Sequence, residues 1–211
     1  MAMQQAYQIA YRKAVAALAA LDLGEVARLL GASCRGRRLE LAFFGQPVGI
    51  EVPEEPDGEA RFQPDDLPLA EKILILHYLG SGSVPEPPSP GRLVSFQQLA
   101  GASFYEPTYR KRGPARIARC FGEDVPAFVR ACRALGWTEE KLGDAACGGP
   151  VLPRLRCVAV LHRGDEEFPA EVNLLFNEGI ARLLPLEDVA VLAGLIATRL
   201  GRAAQGSAQN R

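Results

Sequence analysis

The chain has 211 residues, a formal net charge of −1 and 48% hydrophobic residues, a composition typical of a globular protein. This length allows one generous domain or two small ones, and we predict a single domain over residues 1–202. The charge shows no basic excess that would favour nucleic acid and no acidic excess that would favour disorder. No apolar run approaches the roughly 18 residues that a membrane span needs, so we expect a soluble, cytoplasmic protein.

The first half of the chain predicts helices around a hairpin. Residues 1–22 carry apolar side chains at helical spacing, and LGEVARLLG predicts a second helix that ends at Gly31. RRLELAFFG and QPVGIEVP alternate as a hairpin over residues 37–52. LAEKILILHYLG then predicts a buried helix, and SGSVPEPPSPG predicts a flexible loop over residues 81–91.

The second half carries the clearest strand and helix patterns. A hairpin is predicted over residues 155–176, because two largely apolar runs flank a turn that is favoured by Gly164 and Asp165. Pro185 then marks the start of a long apolar helix. We therefore predict an α+β fold in which a small antiparallel sheet packs against several helices. Residues 203–211 are polar and predict a disordered tail.

The five cysteines are odd in number and contain no CxxC pair, the spacing that zinc and iron–sulfur sites ordinarily show. Reduced thiols are the simplest account, so no metal site is predicted and no cofactor can be assigned. Cys120 and Cys132 lie at apolar positions of expected helices. Cys147, in a glycine-rich segment, is expected in a loop that exposes its thiol.

The best candidate for a binding site is the string SFYEPTYRKR, in which aromatic and cationic side chains crowd together. Guanidinium groups pair with carboxylates or phosphates, and aromatic faces pack against planar rings, so this segment could hold a small anionic or planar ligand. Alternatively, the aromatics belong to the core and the cations to a solvated face. The candidate residues are Ser103, Phe104, Tyr105, Tyr109, Arg110, Lys111 and Arg112.

A second candidate is the acidic turn formed by Asp165, Glu166 and Glu167. Paired carboxylates can perform acid–base chemistry or bind a hard cation, although in a hairpin turn they are more often only solvated. Consecutive residues of an extended strand point to opposite faces, so the three cannot converge without a turn. His77 could act as a general base, or it could simply be hydrogen-bonded at the end of its helix.

Four strings of the chain resemble one known family: ILHYL, LVSFQQLAGASFYEPTYRKR, FGEDVPAFVRACRALG and LHRGDEEFPAEVNLLFNEGIARLLPLEDVAVLAG. On these strings the chain resembles the uncharacterised prokaryotic family called domain of unknown function 3786. The similarity runs from the first helix to about Leu200. The resemblance implies no activity. Some relatives carry a small cysteine-rich iron–sulfur module before this domain and are associated with anaerobic prokaryotes. This chain has no cluster-binding spacing, which argues against a direct redox role.

Three functional hypotheses follow, and no residue is assigned a catalytic role in advance. The first is a non-catalytic binding or accessory protein for a small anionic or planar ligand. The second is an enzyme that uses Asp165, Glu166 or His77 for acid–base chemistry, and the third is an interaction module for a protein partner. A concave pocket lined by Arg110, Arg112 and aromatic rings would favour the first hypothesis. Nucleic acid and membranes are not expected as partners.

Overall fold

A computed structural model describes the chain over residues 2–83 and 92–209. The described residues divide into two compact units. The first consists of the residues up to 83 together with Leu152–Arg154 and Arg182–Pro185, and the second holds the remainder. The single domain over residues 1–202 stays a prediction. The predicted flexible loop lies mostly outside the described residues, because only its positions 81–83 are included.

The described part of the first unit combines helices with a four-stranded antiparallel sheet of order β1-β2-β3-β4. The hairpin predicted over residues 37–52 is confirmed, since its two strands pair from Arg38↔Glu51 to Phe43↔Gln46. Burial alternates along its first strand, as expected of a sheet with one buried face. The elements are α1 (Ala2–Ala19), α2 (Leu23–Leu30), β1 (Ser33–Arg35), β2 (Arg38–Phe43), β3 (Gln46–Glu51), β4 (Arg61–Gln63) and α3 (Leu69–Gly80).

Local interactions of the residues at its two ends determine where helix α2 begins and ends. The Asp22 side chain accepts a hydrogen bond from the backbone N–H of Glu25 at 3.0 Å, which satisfies a free donor in the first turn. Gly31 ends the helix with a φ of 73°, a left-handed conformation that glycine adopts without a steric penalty. The predicted helix end at this glycine is confirmed.

The second unit contains a five-stranded sheet of order β5-β9-β8-β7-β6 within the described residues. The hairpin predicted over residues 155–176 is confirmed by antiparallel pairing from Cys157↔Phe176 to His162↔Glu171. Helices α4, α5 and α6 pack against α8, and α5 also packs on β9. The remaining elements are β5 (Leu93–Ser95), α4 (Glu106–Arg112), α5 (Pro114–Phe121), α6 (Val125–Ala134), β6 (Thr138–Glu140), β7 (Ala145–Leu152), β8 (Leu155–His162), β9 (Glu171–Asn177), α7 (Ile180–Leu183) and α8 (Leu186–Gln209).

The predicted α+β class is confirmed, but the structure differs from the sequence-based expectation in three places. Cys147 is fully buried in β7, so its predicted exposure in a loop is wrong. Cys120 is exposed on α5 although an apolar position was expected. Helix α8 continues through Gln209, so residues 203–209 are helical where a disordered tail was predicted. Among the described residues, no helix is long and apolar enough to cross a membrane.

The buried side chain of Tyr78 connects three segments of the first unit through hydrogen bonds. The Tyr78 hydroxyl donates a hydrogen bond to the carbonyl oxygen of Leu30 at 2.6 Å and accepts one from the backbone N–H of Arg154 at 3.1 Å. Burial raises the pKa of Tyr78, so the hydroxyl stays protonated. Both backbone partners therefore depend on one side-chain oxygen that water does not reach.

We expect Tyr78→Phe to lower the free energy of unfolding by about 1–3 kcal/mol, because it leaves two backbone groups without their partner. Denaturant unfolding followed by circular dichroism measures the change. Tyr7→Phe is the matched control, since the structure gives the Tyr7 hydroxyl no hydrogen-bond partner among the described residues. Equal stability of the two variants would show that the Tyr78 hydrogen bonds contribute nothing.

Candidate binding cleft

A cleft with a volume of about 1040 Å³ lies on the second unit, between α4–α5 and the β8–β9 hairpin. One wall is formed by Tyr109 and Arg110 of α4 and by the adjoining face of α5. The other is formed by residues of the 164–173 segment, which includes the hairpin turn and the start of β9. The volume lies at the upper end of the range for small-molecule sites.

The α5 wall of the cleft is made almost entirely of small residues. Ala115, Ala118 and Gly122 line the cleft together with Arg119, and their spacing of three, four and seven residues places them on one helix face. Small side chains leave space between the helix and the hairpin. The string PARIARCFG carries this spacing, so the sequence held a signal for the helix wall that the sequence analysis missed.

Gly122, the residue that ends helix α5, packs closely against the hairpin. A Cβ atom placed on Gly122 would lie 2.4 Å from the Cβ of Ala170, much closer than two carbon atoms can pack. The φ of Gly122 is −56°, an ordinary helical value, so glycine is needed here for space and not for backbone conformation. This contact sets the distance between the two walls at one end of the cleft.

Asp165 holds the turn that forms the hairpin wall. Its Oδ1 accepts hydrogen bonds from the backbone N–H of Phe168 at 2.7 Å and of Glu167 at 2.9 Å. These two bonds, the one from Phe168 first, lower the pKa of Asp165 below its ordinary value of 3.8. Asp165 is therefore an ionised group that shapes the turn, a property that fits an anchor better than a general acid.

Carboxylates outnumber guanidinium groups along the cleft. Arg110 and Arg119 face five acidic side chains, which gives the lining a formal charge of −3. Arg110 lies 4.0 Å from the carboxylate of Glu171, and Arg119 pairs with no carboxylate among the described residues. The acidic lining residues are Glu123, Asp124, Asp165, Glu166 and Glu171.

The structure brings part of each sequence candidate into the same cleft. From the aromatic and basic segment, only Tyr109 and Arg110 line it, and from the acidic turn, only Asp165 and Glu166 do. Phe104 lies outside the lining and is 83% exposed. The other candidates that do not line the cleft are Ser103, Tyr105, Lys111, Arg112 and Glu167.

Tyr109 itself offers little surface to a ligand. It is 2% exposed, its ring stacks on Phe96 with centroids 4.1 Å apart, and its hydroxyl donates to the carbonyl oxygen of Leu174 at 3.3 Å. The aromatic ring that the cleft does offer belongs to Phe168, which lines it and is 66% exposed. Sequence analysis missed this residue because nothing in the local pattern distinguishes an exposed phenylalanine from a buried one.

The other chemically active side chains of the second unit are mostly withdrawn into its core. Cys132, Cys147 and Cys157 are fully buried. The hydrogen bond with Cys147, together with burial, raises the pKa of Cys132, and burial raises that of Cys157. Cys120 differs, because its exposed thiol lines the cleft. No histidine is present among the described residues of the lining.

A second, shallower cavity of about 760 Å³ lies on the first unit beside β2–β4. Of its two cations, Arg38 donates hydrogen bonds to Glu40 and Gln63, each at 2.9 Å. The other, Arg61, has no ion-pair or hydrogen-bond partner among the described residues. The aromatic residue of this cavity, Phe62, is 7% exposed. The cleft on the second unit is the better candidate site, because it combines a guanidinium group that has no partner in the described part of the chain with an aromatic ring, Phe168, that is 66% exposed.

Gly122→Ala is expected to lower the free energy of unfolding by about 1–3 kcal/mol, because the added methyl group must push Ala170 away. Gly201→Ala is the control, since a Cβ there meets nothing within 4 Å and alanine favours the helix by up to about 1 kcal/mol. Thermal and denaturant unfolding measure both. Equal stability of the two variants would contradict the close contact.

The Asp165 carboxyl should titrate below pH 3.8 in the folded protein. Because its folded-state pKa is depressed, the ionised group stabilises the turn above the unfolded pKa, and this stabilisation is lost as pH falls through the folded pKa. Carbon-detected NMR of the labelled carboxyl measures the midpoint. A peptide of residues 163–169 is the control and should titrate near the ordinary value of 3.8. Identical midpoints would show that the turn does not form in solution.

Comparisons with known proteins agree with the resemblance found in the sequence. The searches of curated proteins and of solved structures found no match. The sequence profile described as "Domain of unknown function (DUF3786)" matches residues 22–199, which is nearly the whole chain and includes every residue of the cleft. The protein therefore belongs to the DUF3786 family.

Proposed function

We propose that this protein is a non-catalytic binding or accessory protein, and that the cleft of the second unit holds a small ligand with an anionic or planar part. One observation carries the proposal: a cleft of about 1040 Å³ presents an exposed aromatic ring, Phe168, and a guanidinium group, Arg119, that has no ion-pair partner in the part of the chain that the structure describes. In small-molecule sites, polar groups of this kind fix the orientation of the ligand and apolar groups cover the rest of it.

The two side chains suit the two parts of such a ligand. The guanidinium of Arg119 can donate two parallel hydrogen bonds to a carboxylate or a phosphate. The ring of Phe168 can pack against a planar group, and covering it removes apolar surface from water. The small residues of α5 leave space for the rest of the ligand.

An enzyme that uses Asp165, Glu166 or His77 is a weaker alternative. Asp165 already accepts two backbone hydrogen bonds, and its pKa is lowered, whereas a general base works best with a pKa close to the working pH. No histidine stands among the described residues that line the cleft, so the lining offers no imidazole to complete an acid–base pair.

An interaction module for a protein partner is the second candidate function. It is favoured by Phe104, whose side chain is 83% exposed and whose ring contacts only that of Tyr105 edge-on among the described aromatics. Our proposal also includes a cytoplasmic location, which the five free thiols favour. An anaerobic prokaryotic source rests on the family resemblance alone.

Native mass spectrometry of protein purified without oxygen tests the binding function. We expect the wild-type protein to carry an added mass that disappears on denaturation, and Arg119→Ala to lose most of that mass because its guanidinium group is removed. Arg112→Ala is the matched control, since it removes another exposed guanidinium group, one that does not line the cleft. Both substitutions should change the free energy of unfolding by less than about 1 kcal/mol.

Two results would contradict the proposal. A clean apo mass in the native spectrum of the wild-type protein would favour the interaction module. Equal loss of the added mass in both variants would show that the ligand is held by general positive charge and not by the cleft.

A further inference from the structure

Both cations of the described lining stand on the helix wall, whereas carboxylates stand on both walls. Arg110 and Arg119 share the helix wall with the two acidic residues that follow α5, Glu123 and Asp124. The charged residues of the hairpin wall are all carboxylates, namely Asp165, Glu166 and Glu171. A ligand that carries only an anionic group would meet three carboxylates opposite its binding partner. A ligand that carries a cation as well as an anion would find a partner of opposite charge on each wall.

One cation and two carboxylates of the lining have no ion-pair or hydrogen-bond partner among the described residues. Arg110 lies beside Glu171 at 4.0 Å, and Asp165 is bonded to its own turn, so these three side chains are already engaged. The three groups without a described partner are Arg119, Glu123 and Glu166, and all three are exposed. Glu123 follows α5 on the same wall as Arg119, whereas Glu166 lines the cleft from the opposite wall.

The third recognition element is apolar. Phe168 stands two residues after Glu166 in the same turn and exposes 66% of its surface. Opposite it, the α5 wall offers Ala115, Ala118 and Gly122, which would admit a flat ring without displacing a larger side chain. A guanidinium, a carboxylate and an aromatic ring therefore surround one volume.

From this arrangement we propose that the ligand is a small zwitterion with an aromatic group, of the chemical class of the aromatic α-amino acids. Its carboxylate pairs with Arg119, its ammonium group pairs with Glu166, and its ring packs on Phe168. The assignment rests on the proposed function, since it names the ligand class of the same cleft.

Three probes with one ring and different charges test this assignment: L-phenylalanine, phenethylamine and 3-phenylpropionate. The readout is the rate at which iodoacetamide alkylates Cys120, whose exposed thiol lies in the cleft lining. A Cys34→Ser background removes the half-buried thiol of the first unit, and the three remaining thiols are buried. Peptide mass spectrometry then gives, for each probe, the concentration that halves the alkylation rate.

We expect L-phenylalanine to protect Cys120 at a concentration about tenfold lower than either singly charged probe, because each charge-assisted pair contributes about a factor of ten or more. Arg119→Ala should raise the protecting concentrations of L-phenylalanine and 3-phenylpropionate about tenfold and leave that of phenethylamine unchanged. Glu166→Gln should raise the protecting concentrations of L-phenylalanine and phenethylamine and leave that of 3-phenylpropionate unchanged. Arg112→Ala and Glu167→Gln are the matched controls and should leave all three protecting concentrations unchanged.

The outcomes separate the ligand class from the binding function. If a singly charged probe protects Cys120 at least as well as L-phenylalanine does, the ligand is not a zwitterion. The cleft is then still a binding site. Absence of protection by all three probes up to about 10 mM overturns the aromatic zwitterion, since even a weak specific site binds in the millimolar range. In that case the native mass spectrum decides the binding function independently.

Discussion

The antiparallel pairing of β8 with β9 is the constraint on which the second unit depends. The register from Cys157↔Phe176 to His162↔Glu171 fixes where the chain must reverse, so residues 163–170 project as one wall of the cleft. Strand β9 also pairs with β5 and packs against α5, which supplies the opposite wall. A shift of register by one residue would exchange the two faces of β9 and separate both walls from their support.

Backbone N–H groups hold two of the carboxylates of the cleft in place. Asp165 is fixed by its turn, and Asp124 caps α6 by accepting a hydrogen bond from the backbone N–H of Ala127 at 2.8 Å. Arg110 and Glu171 approach to 4.0 Å, but their side chains are 65% and 59% exposed, so solvent screens the attraction. A ligand that enters the cleft therefore breaks little that stabilises the fold.

The buried thiols of the second unit contribute to packing more than to chemistry. Cys132 comes from α6, Cys147 from β7 and Cys157 from β8, and all three are fully buried. The hydrogen bond with Cys147, together with burial, raises the pKa of Cys132, and burial raises the pKa of Cys157, so these two thiols stay protonated and behave as small apolar groups. The exposed thiol of Cys120 instead lines the helix wall of the cleft.

By itself, the sequence determined the type and order of the elements whose signals are local. Gly31 marked the end of α2, and an apolar run before Gly164 and Asp165 marked the hairpin, because these preferences act between neighbouring residues. The sequence did not reveal β7, because a glycine such as Gly149 is typical of a loop. In the fold, the ring of Trp137 covers Gly149, and β7 pairs with β6 on one side and β8 on the other. Only the tertiary structure decided that Arg110 and Asp165 line one cleft. They come together because α5 packs on β9, and contacts between residues so distant along the chain leave no mark in the local pattern.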